Sequence, residues 1–116
     1  MYTPINGWTK QSIIDHIQKN FKGRSVSEAG MCAYRGVEDR RCAVGMFIPD
    51  ALYDPRMDIR SVTKITSADF VIPEFQLQSV MPLSIQGMCA LQAVHDASPE
   101  TACLADMLRF VRLEVL

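Results

Sequence analysis

No C-x-x-C pair occurs in the 116 residues, and its absence removes the commonest zinc and dithiol signatures. No apolar run approaches the 18 or more residues that a membrane-spanning helix takes. Net charge is missing too. Twelve basic and thirteen acidic residues give −1 at pH 7, which leaves no general attraction for nucleic acid or an anionic membrane. There are no repeats or low-complexity segments, and the opening MYTPINGWTK lacks the apolar stretch of a secretion signal. These absences point to a cytoplasmic protein with no membrane association. In that setting Cys32, Cys42, Cys89 and Cys103 are expected as free thiols, and no metal or other cofactor is expected.

What is present is ordinary globular composition, 48% hydrophobic and 22% charged, of a size for one domain over 1–116. A chain this short buries a modest core, so a homodimer that hides more apolar surface is a natural expectation. Residues 1–8, with Pro4 and Asn6-Gly7, read as an extended arm. Thr9 then suits a helix N-cap, with Trp8 and Ile13 placed as a hydrophobic staple. Ile13, Ile14, Ile17 and Phe21 form the apolar stripe, Lys19 and Lys22 favour the C-terminal end, and Gly23 stops the helix. His16 lies off that stripe and is expected in solvent.

The centre of the chain, 31–55, reads MCAYRGVEDRRCAVGMFIPDALYDP. Two short apolar runs around Gly36 predict a β-hairpin with strands 31–35 and 40–47. If Tyr34 faces Arg40 across it, Cys32 faces Cys42; a one-residue slip separates them. Gly45 suggests a bulge, Pro49 ends the strand, and Asp50 to Asp54 read as one helical turn closed by Pro55. The pattern weakens over 56–83, where 61–65 and 67–71 suggest short helical pieces. Ser84 then caps a helix to about Asp96, and Ser98-Pro99-Glu100 starts another along Leu104, Met107, Leu108, Val111 and Val115. So short a link folds the two into an antiparallel hairpin. The expected class is α+β: N-terminal helix, central β-hairpin, short helical turns and C-terminal helical hairpin.

Candidate chemistry is sparse. A metal would need Cys32, Cys42 and Cys89 or His95 to converge from scattered positions. A thiol nucleophile, Cys42 or Cys32 with His95 as base, would need an orienting carboxylate. Asp96 does not face its helical neighbour His95, so Asp50 or Asp54 would have to serve. The plainer reading makes the cysteines small buried hydrophobes, and sets His95 near a helix C-terminus, a position that suits a basic side chain. Asp96 is ill placed against the same dipole, and Arg35 or Arg41 is the expected compensating partner. Tyr34, Tyr53, Phe47 and Trp8 suit core packing better than base stacking, since no basic groove accompanies them.

Three motifs carry a resemblance: C-x-Y-R at 32–35, C-A-V-G-x-x-I-P-D-x-x-Y at 42–53, and L-Q-x-x-H-D at 91–96. With Tyr53-Asp-Pro-Arg-Met57 between them, they resemble a family of small uncharacterised proteins of phages, prophages and other mobile elements. The chain departs from the frequent family form at Met46-Phe47, where many relatives carry a second cysteine. The resemblance implies a setting, not a reaction. The expected function is therefore an accessory protein of a mobile element that binds a host or element-encoded protein. Arg35, Glu38, Arg40, Arg41, Asp50 and Tyr53 are the expected contact. Cys32, Tyr34, Cys42, Gly45, Pro49 and Asp96 are expected to be structural. The alternative is a small thiol-dependent hydrolase or transferase using Cys42 or Cys32 with His95.

Overall fold

The structure, a computed structural model, describes residues 1–23, 36, 38, 40–53 and 77–116. Among them the chain is helical, with α1 at Lys10–Asn20, α2 at Ile85–Ala97 and α3 at Cys103–Glu114. Helix α1 starts where the sequence places it. Thr9 Oγ1 accepts from the Ser12 N–H at 3.1 Å, and Ser12 Oγ accepts from the Thr9 N–H at 2.8 Å. Ser12 thus takes the place of the usual Glu or Gln in a capping box. Ile13, Ile14 and Ile17 are buried, and Gly23 follows the helix at φ +116°, a conformation that suits glycine alone.

The two C-terminal helices pack most extensively on each other, and α1 lies across α3. Ser84 caps α2 by accepting from the Gly87 N–H at 3.3 Å. The entry to α3 differs from expectation. Ser98 Oγ donates back to Val94 O at 2.7 Å and so closes α2 instead of opening the next helix. Pro99 and Glu100 then lead a 3-10 turn, Glu100–Ala102, before α3 begins. Met88, Leu91, Met107 and Val111 form the centre of the resulting core.

The extended arm does more than the sequence suggests. The Tyr2 N–H donates to Glu114 O at 2.7 Å and the Leu116 N–H to Tyr2 O at 2.9 Å, a parallel bridge between Tyr2 and Val115. Further along, the Ile5 N–H, Asn6 Nδ2 and Trp8 Nε1 donate to Pro82 O, Met81 O and Val80 O. The preceding turn, Leu77–Ser79, buries Leu77 in the core.

The expected β-hairpin is overturned: the described residues contain no strand or sheet. The Met46 N–H donates to Cys42 O, Phe47 to Val44 O and Ile48 to Gly45 O, which coils 42–48 into tight turns around a 3-10 turn, Gly45–Phe47. The reason is visible in the pattern. Every residue from 42 to 48 is buried, and an apolar run without polar alternation reads equally as a strand or as buried coiled backbone. Among the described residues the tip of the expected hairpin is kept, where the Gly36 N–H donates to Arg40 O at 2.9 Å and Glu38 takes φ 58°. The other strand, 31–35, the pairing of Cys32 with Cys42, and the pieces at 61–65 and 67–71 lie outside the described residues.

His16 is not in solvent. It is half-buried, and its Nε2 donates to Met46 O at 2.6 Å. The ring stacks on Phe47 at 4.6 Å and meets the Trp8 ring edge-on at 5.3 Å. This aromatic clamp fastens the coiled 42–48 segment to α1.

Candidate functional site

One polar chain enters the core at the last turns of α2. The Val44 N–H donates to Gln92 Oε1 at 3.0 Å, which leaves Gln92 Nε2 to donate to Asp96 Oδ1 at 2.9 Å. His95 Nδ1 reaches the same carboxylate oxygen at 2.9 Å. A carboxylate only accepts, so Nδ1 is the donor in this contact. The 3.4 Å approach of Gln92 Nε2 to His95 Nδ1 then sets donor against donor and contributes no bond. The spacing explains the assembly: Gln92 and Asp96 are four apart on one helix face, and Nδ1 lies close enough to its own backbone to meet the adjacent side chain. The expectation that Asp96 cannot orient His95 is therefore corrected.

His95 Nε2 is the exceptional atom. The side chain is 2% exposed, and Nε2 has no hydrogen-bond partner among the described residues. A buried polar atom left unsatisfied costs about 1–3 kcal/mol, and so calls for a reason beyond packing. An imidazole oriented by a carboxylate, with its second nitrogen unengaged, is the form in which histidine serves as a base or a ligand. Phe21, just past α1, meets the ring edge-on at 6.3 Å.

Two of the described thiols make hydrogen bonds to the backbone. Cys42 Sγ accepts from the Gly45 N–H at 3.3 Å, and Cys103 Sγ donates to His95 O at 3.6 Å. Both cysteines are buried, and Cys89 is half-buried. Cys32 lies outside the described residues. No group of three or more His, Cys, Asp or Glu converges for a metal among the described residues.

The charged loop occupies a different surface. Arg40 sits between Glu38 at 3.2 Å and Glu100 at 3.4 Å, and Arg41 reaches Asp50 at 3.4 Å. Asp50 opens a 3-10 turn, Asp50–Leu52, after the exposed Pro49, and Tyr53 packs partly against the core. Gly45 is buried within its turn. Arg35, Tyr34 and Asp54 lie outside the described residues. Asp96 accepts from His95 and Gln92, while Arg35, one of its two expected arginine partners, lies outside the described residues. Gln92 is the residue that sequence reasoning passed over. It stands in the L-Q-x-x-H-D series, and its i to i+4 relation to Asp96 was the available signal.

In comparison with known proteins, no family model, no curated protein and no solved structure matches this chain. No helix among the described residues is long and apolar enough to cross a membrane. The functional reading therefore rests on the geometry above and on the motif series.

Proposed function

We propose that this protein is a small accessory protein of a phage or other mobile element that acts by binding a host or element-encoded protein. The contact is the loop of Glu38, Arg40 and Arg41 with the turn of Asp50 and Tyr53. The observation that carries this reading is a division of chemistry by depth. The side chains of Glu38 and Asp50 are 72% and 78% exposed, on ion pairs of 3.2–3.4 Å. The imidazole of His95 and the thiols of Cys42 and Cys103 are buried. Exposed ion pairs contribute only about 0–1 kcal/mol, so a partner's charges replace them at little cost. The genetic setting comes from the motif resemblance.

The test is cross-linked capture from cells that carry the element, comparing the unaltered chain with the double variant Glu38→Lys and Asp50→Lys. Both positions are exposed, so circular dichroism is expected to stay unchanged. A protein recovered with the unaltered chain and lost with the variant supports the loop as the contact; equal recovery removes it.

A second reading is favoured by one observation, the oriented ring of His95 with its unengaged Nε2. On that reading the protein is a small thiol-dependent hydrolase or transferase. Alkylation at neutral pH separates the two. For a binding protein, Cys89 reacts ahead of Cys42 and Cys103, and His95→Leu leaves every rate unchanged. For an enzyme, one cysteine reacts far faster than Cys89, and His95→Leu abolishes that advantage. In both cases His95→Leu is expected to leave Tm close to that of the unaltered chain, because it removes the buried unsatisfied nitrogen and the bond to the half-exposed Asp96 together, at similar volume.

A further inference from the structure

The outer side of α3 carries a second stripe, distinct from the one that faces the core. Asp106, Arg109, Phe110, Leu113 and Glu114 border an open groove of about 460 Å³, closed on its far side by the last turn of α2. Leu113 is 59% exposed there. Phe110 is held from behind by Tyr2 of the arm, with ring centroids 5.9 Å apart. Phe110 and Leu113, three apart at the foot of the groove and bracketed by charge, have the spacing of one repeat of a helix-pair seam.

We infer that this groove is the contact face of a parallel, two-fold dimer of this chain. The charges select the occupant. Arg109 precedes Phe110 and Glu114 follows Leu113, five residues apart and of opposite sign. In a parallel helix pair, the residue flanking one side of the seam meets the residue five positions later on the other helix. Two symmetry-related Arg109–Glu114 pairs then enclose Phe110 and Leu113 of both copies. An antiparallel pair sets Arg109 against Arg109 and Glu114 against Glu114, which is repulsive. Asp106 falls one turn earlier on the same seam and faces its own copy. That repulsion confines the contact to the last two turns of α3 and keeps the association reversible.

The experiment is sedimentation of the full chain over a concentration series. The unaltered protein is expected to rise to twice the chain mass. Leu113→Asp raises the dissociation constant at least roughly tenfold. Arg109→Glu and Glu114→Arg do the same singly, and their combination restores dimerisation because the pair is re-formed with its signs exchanged. Asp106→Asn tightens the dimer. All these side chains border open solvent, and circular dichroism checks that the variants stay folded. A chain that remains monomeric throughout, leaving the groove to a different protein, overturns the inference. So does a double charge exchange that associates no better than either single variant.

Discussion

Replacing His16 with alanine is expected to cost about 2–4 kcal/mol, the sum of a lost hydrogen bond and lost ring contacts. The imidazole does two jobs at one place. Its Nε2–H satisfies Met46 O at 2.6 Å, and its face lies 4.6 Å from the Phe47 ring, with Trp8 against its edge. Alanine leaves a carbonyl without its donor and opens a void between α1 and the 42–48 turns. His16→Phe separates the two contributions: it keeps a ring and loses the donor, for an expected cost of about 1–2 kcal/mol. Chemical denaturation of the three proteins checks this. Equal midpoints for His16→Ala and the unaltered chain would show that the clamp does not fasten the segment.

Gly87→Ala is expected to destabilise by about 1–3 kcal/mol, the usual range for overpacking a filled interior. The sign is notable, because at an exposed helical site the same change helps by about 1 kcal/mol. Here a methyl group at position 87 would stand 2.8 Å from Leu83 Cβ and 3.2 Å from Tyr2 Cδ1. Leu83 Cβ is fixed by its backbone and cannot swing aside, and Tyr2 is held by the bridge to Val115. Relief takes a shift of the Leu83 backbone at the entry to α2 as well as of the arm that carries Tyr2. Thermal unfolding is expected to show a fall in Tm on the order of 5–10 °C. A rise instead would mean that helix propensity outweighs the close approach.

The helices were legible because their signals are local. Thr9, Ser84 and the stripes of Ile13, Ile14, Ile17 and of Leu104, Met107, Leu108, Val111 are set by neighbours within one or two turns. The central segment was not. Cys42 to Ile48 are buried on all sides by elements distant in sequence, and the run contains no polar residue to mark a face. Ser98 misled for a related reason: a serine before Pro-Glu signals a helix start, yet the same hydroxyl can bond back to the helix it leaves. His16 looked exposed because it lies off the α1 stripe, and only the coiled 42–48 turns, folding over that side, reveal its partners. At the candidate site the sequence marks both His95 and Asp96, but ideal helical geometry turns adjacent side chains away from each other. The 2.9 Å contact shows how little displacement two adjacent side chains require.

The stitching of the arm to the far end of the chain has a kinetic consequence. The bond from Asn6 to Met81 joins residues 75 apart, and that from Lys10 to Arg112 joins residues 102 apart. Each such closure spends chain entropy before it returns any contact energy. A three-helix arrangement with only nearby contacts would fold among the fastest of proteins. This chain must also bring its two extremes together, which moves it toward the slow end of the helical range.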